Sequence, residues 1–122
     1  MQDYLDRSNY FRGILIIVAK DRKISEEERK YVMEVGLKLG FEKKFCQLAI
    51  DEILDNQFIE IEPPMFFDKD IARKFILDGL GLAYADSHFH PKEIEFLKET
   101  STKNGFDEEW FIQNISRLIE GK

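Results

Sequence analysis

Two acidic motifs of the same spacing carry the clearest chemical potential in the chain. Asp21 is followed at a distance of seven residues by Glu28, and Asp86 by Glu93. Carboxylates set around a tight loop that enters a helix are hard oxygen donors, suited to calcium, magnesium or manganese. His88 and His90, the only histidines, both fall inside the second motif, and imidazole beside carboxylate suits zinc, manganese or nickel. The candidate metal ligands are therefore Asp21, Glu28, Asp86, Glu93, His88 and His90. A structural reading competes with this one: Ser25-Glu26-Glu27-Glu28 has the S-x-x-E form of a capping box, and each aspartate can accept loop amides. An EF-hand is excluded, because Lys23 and Ser25 occupy loop positions three and five and Glu26 replaces the required glycine. Cys46 shares a helical face with Phe45, Ala49, Ile50 and Ile53 and reads as a small buried hydrophobe, since a reactive thiol needs an accessible electropositive setting. No Ser-His-Asp order, phosphate-binding glycine loop or dinucleotide fingerprint is present, and Gly79-Leu80-Gly81 reads as a place where two helices approach closely.

The elements that would position these residues are helices, because apolar residues recur at helical spacing nearly throughout; strand-like alternation is confined to Ile59–Glu62. A first helix runs from about Asp3 to Ala19 with an apolar face of Phe11, Ile14, Leu15, Ile17 and Val18. A second starts at Ser25 and stops at Gly40, and a third spans about Glu42 to Leu54, buried through Phe45, Cys46, Ala49, Ile50 and Ile53. The stretch 55–67, with Pro63-Pro64, is the long connection. Helix resumes near Asp68 or Asp70 and continues to Ala85; Pro91 opens the next helix at its favoured first position. Gly105 closes that helix, and Asp107 caps the last, which buries Phe111, Ile115, Leu118 and Ile119. Met65, Phe66 and Phe67 make the connection unusually apolar: they either fold over the seam between the halves or form an exposed partner-binding patch.

A register shift of 65 residues aligns the two halves without a gap: Asp21 falls on Asp86, Glu28 on Glu93, Glu34 on Glu99, Lys38 on Lys103, Gly40 on Gly105 and Phe41 on Phe106. Apolar character is kept at Tyr31/Phe96, Val32/Leu97, Phe45/Trp110 and Cys46/Phe111. The chain reads as an all-α single domain of two three-helix repeats, about 3–54 and 68–119, joined by 55–67. Each repeat has too little core alone, so the two should pack about an approximate two-fold axis, with Phe41 and Phe106 in equivalent buried positions.

Asp21-Arg22-Lys23-Ile24-Ser25-Glu26-Glu27-Glu28, placed between an apolar helix and an amphipathic one, resembles the D-G-x-[IV]-[ST]-x-x-E signature of the TerB-like family. Asp86-Ser87-His88-Phe89-His90-Pro91-Lys92-Glu93 keeps the aspartate, the apolar residue and the glutamate at the same spacing, with Arg22 and Ser87 where the family has glycine. The family includes tellurite-resistance TerB proteins and the membrane-proximal domain of a DnaJ-like co-chaperone. The resemblance implies an all-helical domain with an acidic, divalent-metal-binding patch, and a place in stress-response assemblies that include membrane-associated protein partners.

Composition sets the outer limits. The chain has 122 residues, 43% of them hydrophobic and 34% charged, which is a globular composition of one-domain length. Net charge is −6, shared evenly between the halves, with no basic stripe to collect phosphates, so nucleic-acid binding is not expected. The apolar runs Ile14–Ala19 and Gly79–Ala85 fall far short of the ~20 residues that span a bilayer, the amino terminus lacks the basic start of a signal peptide, and one cysteine permits no internal disulfide. A cytoplasmic protein without direct membrane insertion is expected. Three functions follow: a non-enzymatic TerB-like module that binds a divalent metal or acts as a scaffold, a pure protein-interaction domain whose carboxylates only cap helices, and a metal-dependent hydrolase centred on Asp86, His88, His90 and Glu93.

Overall fold

A computed structural model describes residues 2–19, 24–55, 62–84 and 91–121. Six α-helices follow one another: α1 (Gln2–Val18), α2 (Glu26–Lys38), α3 (Lys43–Asp55), α4 (Lys69–Ala83), α5 (Pro91–Lys103) and α6 (Glu108–Glu120). No strand occurs among the described residues. The brief alternation at 59–62 lies almost wholly outside them.

α1 is the axis of the molecule. From Tyr10 to Ala19 every apolar side chain is buried, Ile16 included, so its second half is apolar on all sides rather than on one face. A helix of that kind is stable only when surrounded. α2, α3 and α4 pack around α1, and α5 and α6 pack on α4, which buries Ala72, Phe75, Ile76, Leu80 and Ala83. A single apolar cluster runs through both halves.

The helix bounds of the two halves agree. α2 and α5 begin at 26 and 91 and end at 38 and 103, while α3 and α6 begin at 43 and 108 and end at 55 and 120. α2 and α5 also end in the same way. Gly40 at φ 95° and Gly105 at φ 85° take the left-handed conformation that costs an L side chain most. The next amide then reaches back to the last turn, Phe41 N–H to Gly36 O and Phe106 N–H to Ser101 O, each at 3.0 Å. Phe41 stacks on Phe45 at 5.1 Å between ring centroids and Phe106 on Trp110 at 4.6 Å. Both Phe41 and Phe106 are half-buried, not buried as expected, because each stack sits at the outer end of its helix pair.

Other expectations need correction. Phe45 is 47% exposed and Ile119 51% exposed. α3 and α6 are outer helices that touch the rest on a narrow stripe, centred on Cys46 and Ile50 in one and Phe111 in the other. Asp107 stands at the N-cap position of α6 but makes no side-chain cap. Of the two α4 glycines only Gly79 marks a close approach: a Cβ there would lie 2.6 Å from Leu97 Cδ2 and 3.1 Å from Ile17 Cδ1, whereas one at Gly81 would meet nothing within 4 Å.

Residues 62–68 cross the seam and are held from both sides. The buried carboxylate of Asp6 accepts from Phe67 N–H at 2.8 Å and Asp68 N–H at 2.9 Å. Asn104 accepts from Phe66 N–H at 2.9 Å and donates to Pro64 O at 2.9 Å. Phe66 packs against Tyr10 and Phe75. Asp68 caps α4 by accepting from Asp70 N–H at 2.8 Å.

Candidate functional site

Asp21, Asp86, His88 and His90 lie outside the described residues, which leaves two of the six candidate metal ligands. Glu28 does what its S-x-x-E setting dictates. Its carboxylate accepts from Ser25 N–H at 3.0 Å, and Ser25 Oγ accepts from Glu28 N–H at 3.1 Å, so both partners of the capping box are engaged. Glu93 is half-buried in the first turn of α5, where a carboxylate complements the helix dipole. Among the described residues, no three of His, Cys, Asp and Glu come together as a metal site.

The apolar connection divides. Phe66 is 8% exposed and closes the core, while Met65 at 57% and Phe67 at 61% face outward. The alternation follows from the extended course of 62–67, in which successive side chains point to opposite sides. Cys46 is fully buried, and burial pushes its thiol pKa up, the opposite of what a nucleophile needs.

Residue-by-residue reading missed a cleft of about 450 Å³ between α1, α2 and α4. That volume is in the range of small binding pockets. Tyr31 and Val35 of α2 and Ile71 of α4 give it apolar walls, with Leu39 at the helix end. Tyr10 of α1 donates its phenolic hydrogen to Asp78 of α4. Lys74, one turn before Asp78, reaches the same carboxylate at 2.7 Å and Tyr10 Oη at 3.2 Å. Burial, followed by the hydrogen bond to Asp78, raises the Tyr10 pKa far above that of a free phenol; burial likewise raises that of Tyr31. Arg7 donates to Leu39 O at 2.7 Å and pairs with Asp3 at 3.2 Å, fixing its guanidinium at one end of the cleft. Glu34 and Lys38 line the α2 side and make no ion pair or hydrogen bond among the described residues.

The sequence signal for this site was the 65-residue register, in which Glu34/Glu99 and Lys38/Lys103 keep their charge between the halves. Which helix faces they would meet is a property of the tertiary packing. No helix among the described residues is long and apolar enough to cross a membrane. Comparison with protein-family models, curated proteins and solved structures returned no match.

Proposed function

We propose that the chain is a non-enzymatic helical module of TerB-like type, made of two three-helix units about an approximate two-fold axis, with a scaffolding role in a bacterial stress system of the tellurite-resistance kind. The observation that carries this reading is the agreement of helix bounds and of the Gly40 and Gly105 stops at one constant register. Packing supports it too: α1, α2 and α3 contact one another as α4, α5 and α6 do, and α1 meets α4 at the seam.

Scaffolding is favoured over a metal-binding role by Glu28, whose carboxylate is already used in the capping box. On this reading the two D-x6-E motifs fix how the chain turns into α2 and α5, and partner proteins are held on the helical surface. Melting the intact chain, Asp21→Asn and Asp86→Asn with calcium, magnesium, manganese and zinc tests the choice. A scaffold gives the same melting temperature with every ion. A resident metal present at 100 times its dissociation constant would stabilise the fold by about 2.7 kcal/mol, reversibly by chelator, and would lose that effect in Asp86→Asn; that result would replace the scaffold reading with the metal one.

A further inference from the structure

The open cleft has a filled counterpart. Shifting its residues by the 65-residue register carries Tyr10 to Phe75, Lys38 to Lys103, Leu39 to Asn104, Ile71 to Asp6 and Lys74 to Asn9. These counterparts are the residues that grip the chain's own segment 62–68. Lys103 donates to Pro63 O at 3.0 Å and reaches the Glu62 carboxylate at 3.5 Å. Asn104 holds Pro64 and Phe66, Asp6 holds Phe67 and Asp68, and Asn9 donates to Met65 O at 3.3 Å. The ring of Phe66 lies against Phe75 at 5.5 Å between centroids. One groove of the pair is therefore occupied by an extended, acidic and aromatic heptapeptide, and the other is open.

We infer that the open cleft between α1, α2 and α4 binds an extended acidic segment of a partner protein that carries an aromatic anchor. This inference rests on the two-fold reading proposed above. Lys38 stands where Lys103 takes a carbonyl and a carboxylate, and has no partner among the described residues. The differences between the grooves say what is to be recognised. Asp6 and Asn104, which hold backbone amides, are replaced by Ile71 and Leu39, and the uncharged Ala72 and Asn9 by Arg7 and Lys74. Arg7 is held by Asp3 and Leu39 O and Lys74 by Asp78, so Lys38 is the cation left to take an acidic residue, as Lys103 takes Glu62, while Ile71 and Leu39 add apolar wall for an aromatic side chain. An aromatic ring entering the cleft would meet Tyr10 where Phe66 meets Phe75.

The probe is an acetylated, amidated peptide with the sequence of Glu62–Asp68, titrated into the ¹⁵N-labelled full chain. Shifts are expected at Tyr31, Val35, Lys38, Leu39 and Ile71, with sub-millimolar affinity that weakens as salt rises. Lys38→Gln should weaken binding at least fivefold, as should replacing the peptide's glutamate by glutamine or the aromatic residue matching Phe66 by alanine. Lys103→Gln should leave the affinity unchanged. Absence of shifts at several millimolar peptide, or equal affinity for Lys38→Gln, overturns the inference. Shifts of the same residues that grow with protein concentration alone, accompanied by a dimer in sedimentation, would assign the cleft to a second copy and overturn it as well. An experimental structure separates the premises: if α1–α3 fail to superpose on α4–α6 the two-fold reading falls, whereas superposition without peptide binding removes this inference alone.

Discussion

Tyr10 of α1 and Asp78 of α4 form a phenol–carboxylate pair that the 65-residue register sets against two residues of another kind. At the matching register stand Phe75 and Gly13, and a Cβ on Gly13 would come within 2.6 Å of the Phe75 ring at Cε1, so the ring fits only over a bare backbone. Adding a hydroxyl to the ring creates a donor that must not be buried unmet, and Asp78 in place of glycine supplies the acceptor. The pair makes stability pH-dependent in a definite direction. Folding holds the Tyr10 phenol neutral and raises its pKa, while in the unfolded chain it ionises near about pH 10. Its contribution is complete below that value and declines as pH rises further. Tyr10→Phe should flatten the alkaline side of the stability profile, measured by urea unfolding between about pH 8 and 11, and lower stability at neutral pH by about 1 kcal/mol. A second expectation concerns Cys46. Cys46→Ala should cost about 1 kcal/mol for the loss of a small buried group, and the native thiol should resist alkylation until the protein unfolds. Rapid labelling under native conditions would show that Cys46 is accessible after all.

At the scale of elements, the legible features were local ones. The capping box at Ser25, the proline at the head of α5 and the glycine stops at 40 and 105 are decided within a turn of chain, and the structure places the helix ends there. Phe45 and Ile119 are exposed against expectation because periodicity tells which residues share a face but not how much of that face a neighbour covers; an outer helix is covered on one stripe only. Asp78, Lys74 and Tyr10 are not legible as a site for a related reason, since Tyr10 and Asp78 meet across 68 residues of sequence. The α4 glycines give the sharpest test of element packing, because they should respond with opposite signs. Gly79→Ala drives a methyl group into Leu97 and Ile17 and should cost about 1–3 kcal/mol. Gly81→Ala meets open space in a helix interior and should add up to about 1 kcal/mol through helix propensity. Equal effects in chemical denaturation would mean that α4 does not pack on α5 and α1 as described.

For the whole molecule, the decisive surface is the seam between α1 and α4. Ile14, Ile17, Phe75, Ile76 and Leu80 are all completely or almost completely buried, and they belong to one cluster, so neither half owns a finished core. Residues 1–61 and 62–122 expressed separately should show helical content without a cooperative melt, while the intact chain unfolds in one transition. A cooperative melt from either monomeric half would show that the seam is dispensable to its folding. The all-helical class was legible from periodicity and the element order from its punctuation. The cleft between α1, α2 and α4 and the course of 62–68 across the seam were not, because both depend on tertiary packing.

The grip on 62–68 has a consequence for how the molecule would be attacked. Met65 and Phe67 are exposed, apolar and set in a proline-containing connection, the kind of sequence a chymotrypsin-like protease prefers. Cleavage requires several residues on either side of the bond to leave the surface and enter the enzyme's active site. Here the amides of Phe66, Phe67 and Asp68 are bound by Asn104 and by the buried carboxylate of Asp6, one from each half. The segment cannot be peeled away without loosening α1 and the end of α5 together. The amide protons of Phe66, Phe67 and Asp68 should therefore exchange with solvent as slowly as those of the central helices, and nicking there should keep time with global unfolding.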